Sequence, residues 1–374
     1  MGNPLIELTE AGQSIWLDNL TRTMIQDGRL ARLVREDGLS GVTSNPTIFH
    51  KAMTSQDAYD EQIRTLADRG QSAGEIYEAL AIRDIRGAAD ILRPVYERTE
   101  RTDGFVSLEV SPHLARDTRR TVDEAERLWK AVDRPNVLIK IPGTDEGIPA
   151  IEACLARGIN VNITLLFSLD AYRKVMEAYF RAMETRIGRG EAPAGVASVA
   201  SFFLSRIDVK VDESLDAMAA SGRHAEEARA LRGRSAVASA RLAYGLWKQT
   251  HAADRWKKLE SAGARFQKPL WASTSTKDPT MPDVRYVEAL IGPHTINTMP
   301  DETIDAFRDH GRVRPTLEAD LDQERRVIDR LAAIGIPIDR VTRELVDEGI
   351  DKFVRPFDAL LESLEGKRRA LTRA

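Results

Sequence analysis

Short apolar runs alternate along the chain with longer segments whose apolar residues recur at helical spacing. The runs are SIWLD at 14–18, GVTSN at 41–45, FVSLEV at 105–110, VLIKIP at 137–142, INVNITLLF at 159–167, ASVASFF at 197–203, LWASTST at 270–276 and HTINTMP at 294–300. Their period of two and their flanking turn residues predict eight strands. Residues 23–36, 73–101, 113–132, 145–157 and 169–187 are expected to be helices. Pro94 is expected to kink the second of these, because it lacks an N–H, and Ser168 to cap the last. Residues 208–251 are too long for one crossover. They predict a helical insertion between the sixth and seventh strands, reaching to about 262. Residues 301–374 predict a charged helical tail without strand signals.

Eight strands, each followed by helix, is the α/β pattern of a closed (β/α)₈ TIM-type barrel. An open doubly wound sheet is the alternative. Its strands are buried on both faces and read as continuous apolar runs. Here most strands have one apolar and one polar face. Val106, Leu108 and Val110 oppose Ser107 and Glu109; Val137, Ile139 and Ile141 oppose Leu138 and Lys140; Val161, Ile163 and Leu165 oppose Asn162 and Thr164. The barrel is therefore favoured, with apolar faces against helices and polar faces inward. No repeat of fixed period and no linker stands out, so residues 1–374 are expected to form a single barrel domain with added helices.

Composition narrows the function. In 374 residues, 42% are hydrophobic and 30% charged, enough for a sizeable core. The net charge of −4 argues against a dedicated nucleic-acid binder. No run approaches the roughly 20 apolar residues of a membrane helix. Cys154 is the only cysteine, which excludes an internal disulfide framework; its place on a helical segment suggests core packing. The opening MGNPLIELTEAGQS lacks the layout of a secretory signal, and Ile6 stands where a myristoylation signal has Ser or Thr. A reducing, cytoplasmic location is expected. Six scattered histidines form no HxH or HExxH pair, so no metal is expected. No Walker loop and no GxGxxG follows a strand, so no nucleotide cofactor is expected either.

Lys140 is the residue that demands explanation. A lysine within an apolar strand is costly to bury charged. It can snorkel or pair with a carboxylate; alternatively, a desolvated amine can form a Schiff base with a carbonyl substrate. Its company favours the second. Asp18, Asn45, Glu109, Asn162, Thr164 and Ser201 all lie at or near the C-terminal ends of different strands, which converge in a barrel. Each has a plain alternative as cap, turn, salt-bridge partner or polar layer. Together they supply what imine chemistry needs: an amine, acid–base groups for the carbinolamine, and polar groups for substrate hydroxyls. Arg206 follows the sixth strand, and Ser273 and Lys277 follow the seventh, where barrels commonly bind phosphate.

Those segments carry a resemblance. GVTSNPTIF resembles the transaldolase signature around the second strand, and NVLIKIPGTDEGIPAI resembles the active-site lysine segment of that family. GINVNITLLFS, VASFFLSRID and LWASTSTKDP resemble its later motifs, in the same order. The resemblance implies that Lys140 forms the Schiff base, that Asp18 takes the C4 hydroxyl proton, and that Glu109, with Thr164 and a water, assists carbinolamine formation and dehydration. It implies that Asn45, Asn162 and Ser201 hold a dihydroxyacetone unit with Thr43 in support, and that Arg206 and Ser273 bind phosphate. It further implies transfer of dihydroxyacetone from sedoheptulose 7-phosphate to glyceraldehyde 3-phosphate. Many members carry an arginine where this chain has Ser275, and Lys277 is the candidate replacement. A Schiff-base aldolase acting on fructose 6-phosphate and an idle sugar-phosphate-binding barrel are the rival readings. The expected partners are small sugar phosphates, with the chain a monomer or homodimer.

Overall fold

The computed structural model describes residues 2–318 and 320–372. Eight parallel strands close into a barrel in sequence order: β1 Gln13–Leu17, β2 Gly41–Val42, β3 Phe105–Glu109, β4 Val137–Pro142, β5 Val161–Leu166, β6 Ser198–Phe203, β7 Lys268–Ala272 and β8 Thr295–Met299. β1 pairs with β8 to complete the ring, Gln13 opposite Thr295 and Leu17 opposite Met299. The expected (β/α)₈ barrel is the one found.

The register carries the site. Glu109 is opposite Lys140, and Lys140 is opposite Asn162. Paired residues of parallel strands face the same side of the sheet, so the three form one row on β3, β4 and β5. Every residue of these strands is buried. Leu165 interrupts β5 with a left-handed φ of 59°, where the pairing to β6 slips between Ile163 and Leu166.

Several boundaries differ from expectation, each for a local reason. Residues 23–36 are two helices, Arg22–Gln26 and Arg29–Glu36, because Gly28 between them takes φ 76°. The second strand stops at Val42 instead of running to 45. Asn45 is extended and its side chain accepts from the Ile48 N–H at 3.0 Å, capping the helix Pro46–Ser55, with Pro46 in the first turn. That helix and the next, Asp60–Asp68, add to the β2–β3 connection before the long helix Ala73–Arg98, which contains Pro94.

Between β6 and β7 the chain passes through the helices Ser205–Ala220, Ala225–Leu231, Ser235–Ala252 and Asp254–Ser261. Trp256 of the last of these stacks on Phe266 at 5.1 Å between ring centres. After β8 come Asp301–His310, Leu321–Ala333 and the 35-residue helix Ile338–Thr372. This terminal helix packs against Pro46–Ser55, Asp60–Asp68, Ala73–Arg98 and Ser205–Ala220, so it crosses the barrel mouth. Phe357 meets Tyr77 edge-on at 5.3 Å, and Lys367 pairs with Asp60 at 2.8 Å. Among the described residues no helix is long and apolar enough to cross a membrane.

Candidate active site

Lys140 is only 4% exposed. Its Nζ donates to the Ser44 carbonyl at 3.2 Å and lies 3.5 Å from Glu109 Oε2. That second distance is an ion-pair separation, long for a hydrogen bond. Neither oxygen of Glu109 meets a hydrogen-bond partner, and neither does the buried Thr164 Oγ1. Buried polar atoms are normally satisfied within the protein. Two such groups at the end of the barrel fit a site that completes its bonds with ligand.

Burial pushes the Glu109 carboxyl from its ordinary 4.5 up to about 7, while Lys140 pulls the other way. The folded protein therefore holds this proton to higher pH than the unfolded chain. The stability gained is full below about 4.5 and is lost as pH rises through about 7. Glu109→Gln should flatten the pH dependence of stability across that window, measured by denaturant unfolding at several pH values. A slope as steep as that of the parent would contradict the raised value.

Asp18 follows β1, where its backbone N–H donates to the Met299 carbonyl at 2.8 Å. Thr43 Oγ1 donates to Asp18 Oδ1 at 2.7 Å and also lies 2.7 Å from Thr298 Oγ1. Since the single Thr43 proton goes to Asp18, Thr298 donates to Thr43. Burial raises the Asp18 carboxyl above its usual range, opposed by the charge of Lys140 and by the Thr43 bond. On the other wall Asn162 Nδ2 donates to Ser107 Oγ at 2.9 Å, and Ser201 Oγ donates to Asn162 Oδ1 at 2.7 Å.

A cavity of about 610 Å³ opens at this end of the barrel. Asp18, Asn45, Ser205, Arg206, Ser273 and Lys277 line it. Arg206 sits in the first turn of the helix Ser205–Ala220, whose N-terminal end favours anions. Its Nη1 and the Ser205 hydroxyl are buried without partners. Burial holds the guanidinium below the usual arginine range, with Glu109 and Asp18 opposing. Ser273 turns the chain at φ 54° after β7, and its carbonyl accepts from the Ser205 N–H at 3.1 Å. At the rim Lys277 Nζ donates to Ser275 Oγ at 2.6 Å. A cation thus reaches the Ser275 side chain.

Asp18, Thr43, Asn45, Arg206, Ser273 and Lys277 follow the ends of their strands and Glu109 ends β3, while Lys140, Asn162, Thr164 and Ser201 lie within β4, β5 and β6, Asn162 level with Lys140 by register. Sequence reasoning noted Ser205 beside Arg206 but did not name Ser44, Ser107 or Thr298 as site residues. It also missed Leu345, Glu348, Lys352 and Phe353 of the terminal helix, which line the same cavity. Ser107 and Thr298 were visible as polar strand residues. The terminal helix left no local signal, because an apolar position on an amphipathic helix reads as core. Among the described residues no three His, Cys, Asp or Glu side chains gather to hold a metal ion.

Barrel closure, with a buried amine set beside carboxyl groups near the strand ends, gives a (β/α)₈ barrel with the architecture of an enzyme. Comparison with known proteins gives the family. Residues 15–364 match the model of the Transaldolase/Fructose-6-phosphate aldolase family, and the chain belongs to it. It is similar to a protein named Transaldolase from Thermobifida fusca, 49% identical over 373 residues and covering 100% of both chains. It is 47% identical over 376 residues to Transaldolase 2 of a Nostoc species, covering 99% of each. A Transaldolase of Frankia alni is 48% identical over 365 residues, 97% of each chain.

Proposed function

We infer that this chain transfers a dihydroxyacetone unit from sedoheptulose 7-phosphate to glyceraldehyde 3-phosphate, giving erythrose 4-phosphate and fructose 6-phosphate. The observation that carries the reading is the row Glu109, Lys140 and Asn162 at the end of a barrel whose cavity of about 610 Å³ is lined by Asp18, Arg206 and Ser273, in a chain of this family.

Lys140 first passes its ammonium proton to Glu109 and then attacks the ketose carbonyl through Nζ, the added nitrogen passing a proton to the former carbonyl oxygen. The resulting carbinolamine loses its hydroxyl as water, for which Glu109 supplies the proton; a carboxyl poised near 7 can both give and take one. The protonated imine then draws the electrons of the C3–C4 bond as Asp18 takes the C4 hydroxyl proton. Erythrose 4-phosphate leaves and an enamine remains on Lys140. Its carbon bonds to the acceptor aldehyde, whose oxygen regains the proton from Asp18. Water releases the new ketose.

Asn45, Asn162 and Ser201 hold the hydroxyls of the three-carbon unit, Thr43 and Thr298 orient Asp18, and Thr164 assists Glu109. Arg206, Ser273 and Lys277 hold phosphate, with Ser205 beside them. The capping role of Asn45 is compatible with this. It uses the amide oxygen and leaves the NH₂ for the pocket.

The same reading takes residues 1–374 as one barrel domain with added helices, supported by a single hydrophobic cluster that runs from Leu5 to Leu364. Among the described residues the exposed large hydrophobics are Ile187 and Val209, which supports a monomer or homodimer. One buried thiol and pathway chemistry support a cytoplasmic location.

Borohydride reduction with fructose 6-phosphate, followed by peptide mass mapping, tests the reading. The expected result is a dihydroxyacetone adduct on Lys140. An adduct on another lysine, or none, would end it.

A further inference from the structure

The terminal helix Ile338–Thr372 does more than cover helices. Phe353 on this helix is 4% exposed. Its ring centre lies 5.5 Å from Lys140 Nζ and 5.6 Å from the Arg206 guanidinium. No other aromatic ring among the described residues has the Lys140 ammonium over it at cation–π distance, whereas Arg206 also faces Phe203 at 5.2 Å. Phe353 lines the catalytic cavity together with Leu345.

The helix is brought to this position by specific contacts. A Cβ at Gly349 would lie 2.9 Å from Leu165 Cδ2 and 3.5 Å from Arg206 Nη1, so a larger residue there would have to push the Leu165 side chain aside. Leu165 is the residue displaced by the bulge in β5. Lys210 of the helix Ser205–Ala220 pairs with Glu344 at 2.9 Å and with Glu348. His113 meets Asp358 at 2.7 Å. The ring over the lysine is therefore held at both ends of its helical segment.

We propose that Phe353 is a specificity-determining residue that roofs Lys140 and commits the enamine to transfer rather than to hydrolytic loss. This rests on Lys140 being the imine-forming lysine. Two fates compete once C3–C4 has broken. In transfer the enamine carbon bonds to the aldehyde carbon of the acceptor, and the aldehyde oxygen takes the proton held by Asp18. In loss the enamine carbon takes a proton instead, and one water then hydrolyses the imine, freeing dihydroxyacetone and the Lys140 amine. Loss needs solvent protons at the carbon, next to Nζ. A buried aromatic ring denies them access. The same ring face also favours the positive charge of the protonated imine over water. The shielding acts on the neutral enamine, whereas the cation–π contact acts on the protonated imines that precede and follow it.

The experiment measures free dihydroxyacetone against transferred product, with fructose 6-phosphate as donor and saturating erythrose 4-phosphate as acceptor. Phe353→Leu, Phe353→Val and Phe353→Ala form a series of shrinking apolar side chains. The ratio of free to transferred product should climb in that order, staying near the parent value for Leu and rising about tenfold for Ala, the equivalent of roughly 1.4 kcal/mol between competing barriers. Should the alanine chain not fold, the valine chain carries the test, and its ratio must still rise. A merely structural role would lower both products together and leave the ratio fixed. The borohydride adduct on Lys140 is followed in the same samples. A normal adduct with an unchanged ratio in the folded variants overturns the role of Phe353 alone. No adduct in the parent overturns the lysine assignment, and this proposal with it.

Discussion

Lys140→Met should lose transfer activity by at least about 10⁴-fold, the scale seen when a covalent nucleophile is removed. Among the described residues the other amines that line the cavity are engaged elsewhere: Lys210 by Glu344 and Glu348, Lys352 by Glu348 at 3.6 Å, and Lys277 by Ser275. The fold should survive, and the reason lies in Glu109. Lys140 opposes the burial that raises this carboxyl. With the ammonium gone, Glu109 shifts further upward and stays protonated at neutral pH, so no uncompensated charge is left buried. Methionine fills the space of the lysine stem with an apolar chain. The check is a pair of measurements, steady-state transfer and thermal unfolding. Residual activity within about a hundredfold of the parent, with the fold intact, would remove the lysine from the mechanism.

Asp18→Asn should separate imine formation from bond cleavage. The asparagine can keep the Thr43 hydrogen bond but cannot accept the C4 proton. Borohydride trapping on Lys140 should therefore persist while transfer falls by about 10²–10⁴-fold, the usual range for a lost general base. The raised carboxyl of Asp18 fits a group that must take a proton and return it without moving. This substitution also weighs the rival readings. An aldolase would release dihydroxyacetone readily with acceptor present, and an idle sugar-phosphate-binding barrel would lose nothing when Asp18 is changed. Near-normal transfer by Asp18→Asn would favour the aldolase-type reading.

The barrel and the inner row were legible because both depend on short periods. Alternation along β3, β4 and β5 assigns Glu109, Lys140 and Asn162 to one face, and parallel pairing then carries that face from strand to strand. The helix Pro46–Ser55 was written in the Asn45–Pro46 pair, yet an Asn–Pro step marks a turn and a helix start equally well. The break at Gly28 lay inside a convincing helical pattern, where one glycine is often tolerated. Contacts between distant positions left no trace. Thr43 and Thr298 are 255 residues apart, and nothing near either announces the other. Phe353 looks like any apolar residue of an amphipathic helix until the fold places it over Lys140.

The seam between β1 and β8 also bears on how the molecule is made. Asp18 leaves β1 with its N–H on Met299, and Thr43 is steadied by Thr298, so the proposed acid–base group is anchored by the eighth strand, made after the other seven. A nascent chain long enough to expose Lys140 but not yet Thr295 has its amine without the strand that fixes Asp18. Under the proposed roles, such a chain has its nucleophile present and its cleavage step unassembled. Synthesis order thus delays the catalytic centre until the ring is closed, and the terminal helix, translated later still, is the last part of the pocket to arrive.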